Sequence, residues 1–215
     1  MSTRAYHLHE LEIARSLDDS RRVMPEIRPQ HRRVLDLGCG AGQTLIASDL
    51  PRETWAAGVD VDFDALLLGQ ELAAPLAFVN GVAGGLPFAD GAFDLVIARV
   101  VLPFVRIRPA LAEIGRVLRS GGDLWTLVHP PRRAWRNLRT ALCERNRQQA
   151  LHQGYVLANG TLFHLTGAVG PSPASGRFES FQTAHAMIRE LRRAGLNNVI
   201  VVRARHHTII TAVKR

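Results

Sequence analysis

Asp36, Gly38, Gly40 and Gly42 alternate along residues 34–44, directly after an apolar run. An acid followed by three residues without a Cβ reads as a strand that stops in a tight loop open to a ligand, with a helix starting just beyond. A turn of this kind at the carboxyl edge of an open α/β sheet is where nucleotides are bound. The Gly-x-Gly-x-Gly spacing is not the Gly-x-Gly-x-x-Gly of dinucleotide loops. Asp60 closes a second apolar run, at a distance from Asp36 that suits one strand–helix–strand step. Its carboxylate reads as the acceptor for two ribose hydroxyls, or as an ordinary helix cap. Asp36 reads as a ligand contact, or as a group that fixes the loop by accepting backbone N–H bonds.

The elements that must position these residues follow from hydrophobic periodicity. Residues 4–30 carry Leu8, Leu11, Ala14 and Leu17 at helical spacing and predict one or two helices ahead of the sheet. Strands are expected at 33–37, 56–60, 76–79, 93–98 and 124–128. Helices are expected at 43–50, after Asp62, and at 109–118, the last ended by Gly121-Gly122. A loop at 81–87 covers the third strand end. Residues 130–180 interrupt the rhythm and read as an inserted lid. A helix over 183–194 and strands at 198–204 and 207–213, linked around Arg205 and His206, complete the chain. This alternation implies an α/β fold, a doubly wound, mostly parallel seven-stranded sheet with an antiparallel last strand. The expected organisation is one domain: an N-terminal helical cap (1–30), a core (31–129), the lid (130–180) and a C-terminal helix and hairpin (181–215).

The chain has 215 residues, a formal net charge of +8 and two cysteines, Cys39 and Cys143. That composition is globular, with no disulfide framework and no apolar run long enough to span a bilayer. A cytoplasmic monomer or homodimer is expected. The charge is nearly all arginine, which makes nucleic acid a possible but disfavoured partner. The nine histidines are dispersed, His206-His207 pointing to opposite strand faces, and no metal site is expected.

Four segments together resemble class I S-adenosylmethionine-dependent methyltransferases, in the branch that includes quinone-biosynthesis enzymes. Residues 34–44 are similar to the first motif, Gly58-Val59-Asp60-Val61-Asp62 to the second, 86–96 to the segment entering the fourth strand, and 113–122 to the helix and turn before the fifth. The resemblance implies a Rossmann-like fold, S-adenosylmethionine as cofactor and S-adenosylhomocysteine as product. It assigns cofactor contacts to Asp36, Gly38, Cys39, Gly40 and Gln43, to Asp60 and Val61, to Gly81, Val82 and Ala83, and to Arg99. This chain reads Gly81-Val82-Ala83 where the family has Gly-Asp-Ala, so the acceptor for the adenine amino group is missing, with Asn80 or the backbone as substitutes. A histidine common after the fourth strand is replaced near Pro103-Phe104, and Ser120 stands where proline is usual.

The implied reaction moves a methyl group to O, N or C of a small aromatic or acidic molecule. His129, at the end of the fifth strand, is the candidate base, or a rim histidine bonded to a loop. Arg99 is the candidate orienting group for an acidic substrate, or half of an ion pair. Tyr6 and His7 either fold over the methionine end of the cofactor or lie on the surface. In the lid, Arg132, Arg136 and Arg139 share one helix face, with Trp135, Leu138 and Leu142 beside them. That apolar stripe either presses on the site or belongs to an amphipathic surface helix with solvated arginines, and Leu162, Phe163 and Leu165 are further walls or core. The alternatives are an RNA methyltransferase and a catalytically silent module with a regulatory role.

Overall fold

The computed structural model describes residues 2–73, 76–203 and 207–215. Seven strands form one sheet: β1 (Arg33–Leu37), β2 (Trp55–Asp60), β3 (Ala77–Asn80), β4 (Phe93–Arg99), β5 (Leu118–Val128), β6 (Leu196–Arg203) and β7 (Thr208–Lys214). Their order is β3-β2-β1-β4-β5-β7-β6. The first five pair in parallel with one another, and β7 is antiparallel to both β5 and β6. The link at 204–206 lies outside the described residues.

Burial on both faces explains the near-continuous apolar runs. Leu35, Val96, Ala98 and Leu124 point into a core shared with α4 (Ile107–Val117) and α7 (Ala184–Arg193). Their alternating neighbours Val34, Leu95, Ile97 and Trp125 point into a second core on the opposite face. Ahead of the sheet lies α1 (Thr3–Arg15), which packs against α2 (Gln43–Ile46) and α3 (Phe63–Leu72). Asp62 caps α3 as expected, its side chain accepting from the Ala65 N–H at 3.1 Å.

Two expectations are corrected. The helix after the glycine loop is a single turn, α2, rather than a run to residue 50. Gly121-Gly122 do not end α4. Its chain passes directly from Val117 into β5 at Leu118, and both glycines lie inside that strand, where the pairing with β4 shifts register. The insert after β5 is helical, as the expected helical lid requires: α5 (Pro131–Cys143) and α6 (Arg147–Thr166) form a hairpin, followed by an irregular stretch.

Two buried acids tie elements together. Glu190, 2% exposed, takes Arg108 of α4 at 2.8 Å and Arg193 of α7 at 2.9 Å, as well as Arg189. Asp94 accepts the N–H groups of Arg32 and Arg33 at 3.0 and 2.9 Å and also pairs with Arg119. It thereby fixes where β1 starts relative to β4, and so where both strands end. Asp94→Ala is expected to lower the unfolding free energy by roughly 2–4 kcal/mol, since it orphans two part-buried donors and a guanidinium. Urea denaturation checks this, and a loss below about 0.5 kcal/mol would show that the anchor is dispensable.

Candidate functional site

The glycine loop is held by the protein rather than left open. Gly38, Gly40 and Gly42 all have positive φ (67°, 55° and 77°), which only glycine adopts without strain. A Cβ on Gly40 would come within 2.7 Å of the His7 ring, and one on Gly42 within 2.8 Å of the Phe78 ring. At Gly38 it would strike Val101. The chain's own side chains thus pack against these glycines from one side, while Gly38 and Gly40 still line the cavity above the loop.

The loop's N–H groups are also committed. Gly38 and Cys39 both donate to the Val59 carbonyl, at 2.7 and 3.1 Å, and Gly42 donates to the Cys39 carbonyl at 2.9 Å. Gly40 donates to Asp60 Oδ2 at 2.7 Å, while Asp60 Oδ1 accepts from the Asp62 N–H at 2.9 Å. Such a loop has no nest of free donors for a pyrophosphate. What it presents instead is acid.

A cavity of about 460 Å³ opens above the strand ends, within the size range of small-molecule sites. Following the sheet order, its wall runs from Asp60 (β2) through Gly38–Gly40 (β1) and Arg99–Val100 (β4) to His129 (β5). Three inter-strand spacings make that about 14 Å. Tyr6, His7 and Glu10 of α1 close one side, and Phe104 and Arg133 the β5 end. His7 Nδ1 lies 2.7 Å from Gln43 Nε2, and Arg99 Nη2 lies 3.4 Å from Glu10 Oε2. The Phe104 ring meets the His129 ring edge-on at 5.8 Å. Tyr6 and His7 thus both line the cavity, His7 buried and Tyr6 half exposed at its rim. The Tyr6 hydroxyl titrates high, because of burial first and the nearby Glu10 second, with Arg99 opposing.

The electrostatics differ at the two ends. Asp36 is 1% exposed and neither carboxylate oxygen has a hydrogen-bond partner. It does not fix the loop, because the loop donors go to Val59 and Asp60. Burial pushes its pKa up to about 7, against the attraction of Arg99 and with the repulsion of Asp60, and the Thr44 hydroxyl, outside hydrogen-bond geometry, opposes the rise only weakly. Burial likewise pushes the Cys39 thiol up, with Asp36 and Asp60 adding to it, so Cys39 is an inert wall rather than a nucleophile. At the other end burial, then the charges of Arg133 and His207, bring His129 down to about 4. Its imidazole is neutral at pH 7.

Asp36 lies just beneath the cavity, and the structure brings Gly38, Cys39, Gly40, Gln43, Asp60, Arg99 and His129 around it. Val61, Gly81, Val82 and Ala83 do not line it; Val61 and Val82 lie exposed beyond its Asp60 end. Asn80 donates its amide to the Asp60 and Val61 carbonyls at 3.1 Å each, so that amide is pinned. Of the two readings of the lid helix, the structure favours the amphipathic surface helix over a stripe pressed on the site. Trp135, Leu142, Leu162 and Leu165 are exposed, and Phe163 is buried in the main core. Arg132, Arg136 and Arg139 are exposed as well. From α5 the residue that reaches the cavity is Arg133, which sequence reasoning passed over, as it did Glu10 and Val100. The available signals were the i, i+4 spacing of Tyr6 and Glu10, and the place of Arg133 in the first turn after Pro130-Pro131.

A buried, unpartnered carboxylate and a second one at the same end suit a cationic nucleoside and oppose a pyrophosphate, so the residues present fit S-adenosylmethionine. A family model described as a methyltransferase domain matches residues 35–126. That segment is a methyltransferase domain. The methyltransferase YcgJ of Bacillus subtilis, itself uncharacterized, is 34% identical over 110 residues, covering 48% of this chain and 43% of that protein. A demethylmenaquinone methyltransferase of Paenarthrobacter aurescens is 38% identical over 118 residues, covering 51% and 44%. The match spans less than half the length of either relative. Among solved structures, the Bacillus subtilis YcgJ protein superposes with a TM-score of 0.58 at 19% identity, covering 97% of this chain and 99% of that one. A Thermotoga maritima S-adenosylmethionine-dependent methyltransferase, titled a possible histamine N-methyltransferase, gives 0.57 at 18% identity, covering 99% and 91%. These likenesses establish the methyltransferase fold beyond the matched segment.

Asp36 makes the ligand-free domain pH-sensitive. Its folded pKa of about 7 lies above the ordinary 3.8, so the folded state binds the extra proton and stability falls as pH rises between those values. Asp36→Asn is therefore expected to stabilise the ligand-free protein at pH 8, by up to about 4 kcal/mol. The gain shrinks as pH is lowered towards 4. Chemical denaturation of both proteins across pH checks this; a pH-independent difference would refute a buried, unpaired carboxylate.

Proposed function

We propose that the chain transfers a methyl group from S-adenosylmethionine to a small molecule bound at the β5 end of the cavity. The single observation that carries this reading is the polarity of the cavity. The Asp60 carboxylate lines its β2–β1 end, with Asp36 buried behind the loop at that end, and a neutral imidazole stands at its β5 end. The demethylmenaquinone methyltransferase, a relative named for a small-molecule acceptor, supports it, as does a partly enclosed cavity of small-molecule size.

Bound in this site, the cofactor supplies an electrophilic methyl on a sulfonium, and its displacement by an acceptor lone pair forms the acceptor–methyl bond and leaves S-adenosylhomocysteine. The chain's own residues do the rest. Each Asp60 oxygen takes one backbone N–H and keeps a free lone pair, so the carboxylate accepts ribose hydroxyls from a fixed position. Asp36 receives positive charge without rearrangement, and Gly38, Cys39 and Gly40 form the floor, with Gln43 held in place by His7. Val61, Gly81, Val82 and Ala83 flank the adenine beyond the cavity, Val82 by apolar contact only. Arg99, held by Glu10, sits between the two halves. Alignment of donor and acceptor supplies most of the acceleration, roughly 7–11 kcal/mol. For a hydroxyl acceptor His129, being neutral, takes the proton as the new bond forms and returns it to solvent.

Calorimetry with S-adenosylmethionine and S-adenosylhomocysteine tests the reading; absence of binding for both up to about millimolar would sink it. Asp60→Ala is expected to weaken S-adenosylhomocysteine binding by more than about tenfold, through loss of both the ribose acceptor and the Gly40 anchor. His129→Gln is expected to leave that affinity unchanged and to lower turnover by about 10²-fold or more. In the wild type, turnover limited by His129 stays level above pH 6 and falls as the imidazole charges towards its folded pKa of about 4. Undiminished turnover in the variant would leave alignment as the whole mechanism.

A further inference from the structure

We infer that the methyl acceptor is a flat aromatic acid with a ring hydroxyl, its carboxylate gripped by Arg133. This deepens the methyl-transfer reading and rests on it. The charged side chains of the cavity are Glu10, Asp60, Arg99 and Arg133. Glu10 and Arg99 answer each other, and both Asp60 oxygens accept backbone N–H bonds. Among the described residues, Arg133 has no carboxylate partner. It shares the wall of the cavity with His129, and the two also line a smaller pocket next to it, which places an uncompensated cation beside the candidate base.

That cation is rigidly mounted. Arg133 lies in the first turn of α5, behind Pro130 and Pro131, and its N–H donates to the Pro130 carbonyl at 3.0 Å. Proline at the first helical position presets the backbone, so the side chain departs from a fixed point. A guanidinium fork matches a carboxylate bidentately and repels an amine.

The third component is Phe104. Its ring is perpendicular to that of His129 and 44% exposed, so a flat apolar face stands open at the β5 end. The short helical turn carrying it is pinned where the Ser180 N–H donates to the Pro103 carbonyl at 2.9 Å. An aromatic ring laid on Phe104 directs one substituent to Arg133 and another to His129. The first is the acid and remains unchanged. The second is the hydroxyl, whose oxygen lone pair forms the bond to the methyl carbon while its proton passes to the imidazole.

The test uses the full chain saturated with S-adenosylhomocysteine. The probes are the ortho-, meta- and para-monohydroxybenzoates and their methyl esters, with affinities measured by calorimetry or saturation-transfer NMR. The expected result is that at least one acid binds about tenfold or more tighter than its ester. Arg133→Gln is expected to remove that preference while leaving affinity for the ester and for S-adenosylhomocysteine unchanged. Arg133→Lys is expected to restore part of it, as a point charge without the fork. With a turned-over acid, Arg133→Gln is expected to raise KM about tenfold with a much smaller change in kcat. Arg133 is exposed, so the variants test recognition rather than folding. S-adenosylhomocysteine binding without any preference for acid over ester, or a preference that survives Arg133→Gln, overturns this inference alone. No S-adenosylhomocysteine binding overturns the methyl-transfer reading, and the inference with it.

Discussion

The hydrogen bond from the Gly40 N–H to the Asp60 carboxylate is the constraint on which the site depends. Together with the two N–H groups that converge on the Val59 carbonyl, it folds the loop after β1 back against the end of β2. The donors that a phosphate would need are thereby consumed inside the protein. What then faces a ligand at this end is the Asp60 carboxylate, with Asp36 buried behind the loop, and the cavity acquires an acidic end. The opposite end, at β5, is set by burial of His129 and the approach of Arg133, and is neutral to positive. A single cavity with two unlike ends suits a cationic methyl donor and a different second molecule better than it suits one dinucleotide.

The N-terminal helix shares that constraint. His7 stands where a Cβ on residue 40 would be and bonds Gln43, while Glu10 reaches Arg99, so α1 closes the site over the ends of β1 and β4. Glycine at 40 serves the helix as much as the loop. The unpaired Asp36 beneath carries a cost in the ligand-free state that a bound cation removes, which couples occupancy to stability. Stability and binding are thus set by the same few groups.

Much of this was legible in the sequence. Period-2 alternation in β1, β4 and β5 distributes Val34 and Leu35, or Ile97 and Ala98, to opposite cores, and the apolar runs marked the strands for that reason. Asp60, Arg99 and His129 were legible because a residue that ends a strand of a parallel sheet stands at the rim whatever surrounds it. Gly121-Gly122 misled, because a glycine pair signals a helix end and a strand irregularity equally well. The short α2 and the exposure of Trp135 and Leu142 were not legible, since periodicity reports that a helix is amphipathic but not what its apolar side meets.

The sequence by itself determined the sheet, the order of acids and bases along its carboxyl edge, and the domain family, because each follows from local pattern. Only the tertiary structure decided that the loop glycines also make room for His7, Phe78 and Val101, and that Asp36 has no partner. It alone decided that Arg133, and not the neighbouring arginines of the same helix, enters the cavity. These are contacts between residues distant along the chain. They depend on how helices dock over the strand ends, and no spacing rule encodes a docking angle.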